Sequence, residues 1–285
     1  MTATEKRLAS MRANLDNLEN TAHVILEKGD AMTSDDRKTL LSLVNVAFHK
    51  GGKIDGIYSI DGTAACGFCE KMRHAAETNC LMICGMCYAA RDFWKEAAFR
   101  RHRLNARILS TVLFTVEELQ TLPIPMVADV RINEDGDVSN CIHGQNVIRL
   151  FKAFHRCSFG FWYKNTAAVS AALQAEGISR KEDKPHNVRF VHSSPLIGIP
   201  VRAMWYDDAI FTVYPDEETT VSAIRCGSYE CNGRRCQNCG LNCYRPENNV
   251  DGLQHIAEVL RANKATVAAI RAAYDAFVAR ENNGK

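Results

Sequence analysis

Apolar residues in this chain recur first at helical spacing, then in short extended runs that alternate with further helical stretches. A charged segment from about Thr4 to Lys28, stopped by Gly29, predicts a peripheral helix. A second helix, capped by Ser34 or Asp35, is predicted to run through Leu40, Leu41, Val44, Ala47 and Phe48 to Gly51-Gly52. Beyond it, Ile57-Tyr58-Ser59-Ile60 reads as a strand. Tyr88 to Leu109 reads as a long basic helix with Phe93, Ala97, Arg101 and Leu104 along one side. Met126 to Ile132 is a strand ended by the turn Asp135-Gly136, and Asn146 to Phe154 is a helix. Then follow an aromatic strand, Ser158 to Tyr163, and an alanine-rich helix, Ala167 to Ala175. Val188 to His192 and Ile210 to Tyr214 are further strands, and a last helix is expected from about Leu253 to Ala279. Strand–helix alternation of this kind predicts α/β architecture with a parallel sheet, either open or closed into a partial (βα) barrel. The expected organisation is an N-terminal helical segment (1–52), a cysteine-rich core (53–245) and a C-terminal helix (246–285).

Composition changes this picture in one respect. The 285 residues are 46% hydrophobic and 24% charged, which suits a chain with a real core. Thirty-five basic against thirty-three acidic residues leave a net charge of +2, so charge offers no support for a nucleic-acid or membrane partner. The outlier is cysteine. Of the 12, five fall between Cys66 and Cys87 and five between Cys226 and Cys243. The N-terminus lacks an apolar signal region, and no apolar run approaches the roughly 18 residues of a membrane span. A cytoplasmic setting is therefore expected, in which clustered thiols bind metal more often than they form disulfides.

The first cluster supports two readings. Cys66, Cys69, Cys84 and Cys87 form C-x2-C-x14-C-x2-C, two thiolate pairs suited to tetrahedral zinc. Cys80, Cys84 and Cys87 form C-x3-C-x2-C, three thiolates on one loop that can hold three irons of a [4Fe–4S] cluster and leave the fourth open. That run follows the first core strand and precedes a long helix, the place where α/β barrels build active sites. The second cluster offers Cys236, Cys239 and Cys243 with Cys226 or Cys231 as a fourth ligand, for zinc or a second Fe–S cluster.

Two resemblances follow from these residues. Tyr58-Ser59-Ile60-Asp61-Gly62-Thr63, the later Cys87-Tyr88-Ala89, the segment Arg131 to Asp137 and the knot Cys226 to Cys243 resemble a phage and bacterial gene-product-88-like family, for which no activity can be carried over. The C-x3-C-x2-C run also resembles that of radical S-adenosylmethionine (SAM) enzymes, although Met86 stands where an aromatic residue is usual. This second resemblance implies a partial barrel in which Cys80, Cys84 and Cys87 hold the redox cluster. It further implies that the open iron chelates SAM, with Gly136 and Asp137 near its amino group.

Lys164-Asn165 and Ser193 end two further strands and are candidate cofactor contacts for that reason. The run Arg100, Arg101, His102, Arg103 and Arg107 could meet phosphates, but a solvated helix face is the commoner meaning. Phe159, Phe161, Trp162 and Tyr163 could stack bases, though core packing is the expected role. Cys141, His143, His155 and Cys157 lie outside both clusters and read as ordinary partly buried residues. The rival to a radical SAM-like enzyme of unknown substrate is a non-catalytic zinc protein whose knots staple a nucleic-acid- or protein-binding surface.

Overall fold

A computed structural model describes residues 2–50, 55–62, 67–86, 96–133, 136–220, 224–225, 253–260 and 262–283. Its helices are α1 (Ala3–Leu26), α2 (Ser34–Leu43), α3 (Gly67–Thr78), α4 (Glu96–Thr111), the single turn α5 (Val116–Leu119), α6 (Cys141–Ala153), α7 (Thr166–Ala175) and α8 (Lys264–Asn283). Its strands are β1 (Ala47–Phe48), β2 (Tyr58–Ile60), β3 (Asp129–Ile132), β4 (Ser158–Tyr163), β5 (Val188–Ser193), β6 (Ala209–Tyr214), β7 (Ile224–Arg225) and β8 (Gln254–Val259).

The described strands form one open, mostly parallel sheet in the order β1-β2-β3-β4-β5-β6-β8-β7, and among the described residues only the β1–β2 strand pairing is antiparallel. From β1 to β6 spatial order follows chain order. Right-handed crossovers in such a sheet put every connecting helix on the same face. Burial agrees: Val130, Ile132, Phe159, Phe161, Tyr163, Val188 and Phe190 share one core with residues of α4, α6 and α7. The opposite, inner face carries a smaller cluster of Val191, Ala209 and Ile256, with Trp162 and Phe211 packed on it. The aromatic strand is thus divided by its period-2 alternation. Three rings enter the core, and Trp162 faces the other way.

Three buried asparagines close the places where helix ends would otherwise strand backbone groups. Asn105 accepts from the Asn45 N–H at 2.7 Å and donates to the carbonyls of Asn45 and Asp61. Asn187 donates to the carbonyls of Phe151, Phe154 and Cys157, which sit at the C-terminal end of α6 and just beyond it. Asn146 does the same for the end of α4, accepting from Phe114 N–H and donating to Leu109 and Val112.

Several expectations are corrected. The second helix is capped by Thr33, not Ser34 or Asp35, and stops at Leu43; Ala47 and Phe48 form an edge strand because the Asn105 amide grips Asn45 on both sides. The expected last helix begins with a strand: Gln254–Val259 pairs with all of β6, and the helix proper is Lys264–Asn283. The C-terminal segment therefore supplies part of the sheet. Gly67–Thr78, for which the pattern predicts no element, is helical, and the helix from Tyr88 is described from Glu96 onward. Its basic run turns toward α1: Arg100 bonds Glu19 and Asp16, and Arg107 meets His23 at 3.0 Å. Among the described residues, no helix is long and apolar enough to cross a membrane.

Candidate functional site

Parallel strands present their carboxyl ends together, and here that edge gathers the polar residues following β2, β3, β4 and β5. Asn133 donates to the Trp162 carbonyl, and its own N–H reaches Ile60, which ties three strands. Its φ of 62° is the left-handed conformation asparagine tolerates best among residues with a side chain.

Gly136, Asp137, Lys164, Asn165 and Ser193 all lie at this edge, as the sequence predicts, but with different tasks. Asp137 Oδ1 accepts from Val138 N–H and Oδ2 from Lys164 N–H, both at 2.7 Å. It clamps β3 to β4. Burial pushes its carboxyl up to about 6, against the pull of Lys164 and of neighbouring backbone N–H groups. Asn165 caps α7 through Ala168 N–H and donates to the Val138 carbonyl, a second cross-tie. Ser193 ends β5 on the inner face, and Lys164 is half-buried beside the clamp.

The cysteine loop reaches the same edge. Ile83 N–H donates to the Pro195 carbonyl at 2.9 Å, Ile197 N–H donates to Leu81 at 2.7 Å, and Met82 bridges Leu196. Leu81 and Met82 are buried, whereas Cys80 is exposed and Cys84 half-exposed. Anchoring the apolar residues between two cysteines leaves the cysteines themselves at the surface. Leu81 packs with Ile197 and Ile270, backed by Leu196, Tyr274 and Phe277. Among the described residues no three His, Cys, Asp or Glu side chains gather as a metal-binding group. Cys66, Cys87, Cys226, Cys231, Cys236, Cys239 and Cys243 lie outside the described residues, and Cys69 lies in α3.

Gly198 locks the base of this loop. Its φ is +79°, and a Cβ there would stand 2.6 Å from the Tyr274 ring. Gly198→Ala should cost about 2–4 kcal/mol, from left-handed strain plus overpacking. Urea denaturation with a loss under about 1 kcal/mol, within the range of an ordinary surface change, would contradict that packing.

Two buried clusters were not anticipated from sequence. At the end of β2, Ser59 Oγ donates to Asp61 Oδ2 and sits 2.8 Å from His49 Nε2, with His102 3.9 Å from Asp61. Because the only hydroxyl proton goes to Asp61, His49 must donate, so serine stands between histidine and acid. That order does not activate a nucleophile, since a base must accept from the serine. On the helix side, the Tyr163 hydroxyl donates to Asp207, His192 Nδ1 lies 3.2 Å from the same carboxylate, and Met204 N–H completes it. Burial, then the Asp207 charge, raises the Tyr163 phenol. Both clusters join residues far apart in sequence, so no local motif marks them.

Cys157 donates its thiol to the Pro125 carbonyl and is fully buried rather than partly so, His155 is exposed, and Cys141, 3.7 Å from Gln145, is half-buried as expected. His143 is fully enclosed, and Ser139 N–H donates to its Nδ1. Compared with protein-family models, with curated proteins and with solved structures, the chain matches none.

Proposed function

We propose that the protein is a metal-dependent α/β enzyme of the radical SAM type, with its active site at the carboxyl edge and inner face of the sheet. One observation carries the reading: the loop holding Cys80 and Cys84 is hydrogen-bonded to Pro195–Ile197, directly after β5, on the same edge as Asp137, Asn165 and Ser193. A merely structural zinc knuckle gains nothing from that location, whereas a reacting cluster needs it. Strand order that follows chain order, with helices on one face, also suits a partial (βα) barrel.

Cys80 and Cys84, with Cys87, are the residues to hold a [4Fe–4S] cluster, and the knot of Cys226, Cys236, Cys239 and Cys243 is the candidate for zinc or a second cluster. When bound, the first cluster supplies the electron for cleaving SAM. The chain's own part is to fix the loop against β5 and α8, to keep the edge rigid through Asp137 and Asn165, and to offer the inner face to a substrate.

Ligand count makes the test. Cys80→Ala should remove the iron and the visible absorbance of one cluster from anaerobically purified protein, while Cys69→Ala should leave them in place. Full iron in Cys80→Ala, together with loss of one zinc in Cys69→Ala, would establish the structural zinc site instead.

A further inference from the structure

The β5–β6 ladder changes register where β5 ends. Ser194 N–H donates to the Phe211 carbonyl at 2.7 Å, as the next rung of that parallel pairing. Parallel rungs are evenly spaced, so the following one would join Leu196 N–H to the Val213 carbonyl. Gly198 N–H takes that carbonyl instead, also at 2.7 Å. Residues 194 and 198 are four apart where Phe211 and Val213 are two apart, so two extra residues are pushed out of the sheet. Bulges of this kind re-aim groups beside functional sites. Here the bulge is what meets the cysteine loop. It offers the Pro195 carbonyl to Ile83 N–H and Ile197 N–H to the Leu81 carbonyl, with Leu196 opposite Met82. Leu81, Met82 and Ile83 are the residues between Cys80 and Cys84.

One side chain replaces the rung that the bulge forfeits. Ser194 Oγ accepts from Leu196 N–H at 3.1 Å and lies 2.6 Å from the Ile199 carbonyl and 2.9 Å from that of Leu196. Its single proton goes to the nearer oxygen, so the hydroxyl spans the neck of the bulge from Leu196 to Ile199. Ser194 is 5% exposed, which leaves water little access to do the same. We infer that Ser194 is the positioning residue of the cysteine loop, holding out the bulge on which Leu81 to Ile83 hang and so fixing where Cys80 and Cys84 stand. Its bearing on a metal rests on the reading of those two cysteines as ligands. Without the hydroxyl, Leu196 N–H and the Ile199 carbonyl lose their partner. Leu196 is then free to take its regular rung on Val213, which flattens the bulge and withdraws Pro195 and Ile197 from the loop.

Amide hydrogen exchange and iron release, both measured on the full chain as anaerobically purified, test it. In Ser194→Ala the amides of Ile83 and Ile197 should exchange about tenfold faster, as loss of a buried hydrogen bond implies, while those of β4 keep the parent rate. Bound iron should pass to bathophenanthroline faster by a similar factor. Ser194→Thr keeps the hydroxyl and should restore both rates. Ile83→Pro deletes the loop's own N–H at the first position of the turn Ile83–Met86, where proline fits, and should release iron as Ser194→Ala does. Exchange at Ile83 and Ile197 that stays at the parent rate in Ser194→Ala, or that rises equally in β4, overturns the inference. Parent-like iron release in both Ser194→Ala and Ile83→Pro overturns it too, provided Cys80→Ala has lost the iron. Full iron in Cys80→Ala overturns the metal reading instead, and the exchange rates alone then decide whether Ser194 holds the loop.

Discussion

Asn146→Ala should be among the most damaging single changes in the protein, at about 3–5 kcal/mol by urea denaturation. The side chain is 1% exposed and satisfies two carbonyls and one N–H around the end of α4. Removing it leaves three buried backbone groups without their partner, each costing about 1–3 kcal/mol, with partial relief by relaxation. Asn146→Asp should be nearly as harmful, because it sets an oxygen against two carbonyl oxygens. A loss below about 1 kcal/mol for the alanine variant would mean that water or a backbone shift replaces the amide, and the account of that helix end would fail.

The second large effect concerns acid stability. Burial holds the His143 imidazole down at about 4, and the Ser139 N–H aimed at Nδ1 also disfavours a proton there. A depressed histidine contributes stability that is complete above its ordinary value of 6.5 and lost as pH falls through 4, worth about 3 kcal/mol in all. Asp137 runs the other way. Raised from 3.8 to about 6, its contribution is complete below 3.8 and lost as pH rises through 6. Between about pH 4 and 6 the two slopes oppose each other. His143→Gln should therefore expose the Asp137 slope, so that the variant weakens toward pH 6, while Asp137→Asn should become acid-sensitive. Stability differences from the parent that stay constant from pH 4 to 7 would sink both assignments.

Period-2 and period-3.6 patterning located most of β2 through β6 and the helices between them, because those segments bury one face and their apolar spacing records it. Residues 254–259 were misread as helix because Gln-His-Ile-Ala-Glu-Val has no strong strand composition; its parallel pairing with β6 decides its conformation. Asn105, Asn146 and Asn187 were invisible as determinants, since an asparagine that serves a distant helix end looks like any other polar residue. At the candidate site, the carboxyl-edge positions of Asp137, Asn165 and Ser193 were legible from strand ends alone. Their tasks were not, because Asp137 meets Lys164 across strands rather than along the chain. The inner-face pairing of Arg131 with Trp162 was hidden likewise, as it needs the register of β3 against β4.

Strand order has a consequence for how the chain matures. A sheet whose first six strands are neighbours in the order of synthesis can grow by addition, each strand docking on the edge left by the one before. The cysteine loop does not share that schedule. It is translated early, yet its partners are Pro195 and Ile197, and the apolar backing from Ile270 and Tyr274 arrives last of all. Cys80 and Cys84 thus leave the ribosome well before their scaffold exists. Whatever the loop comes to hold, its final geometry is a property of the finished chain, and loading during translation would meet a loop without its frame.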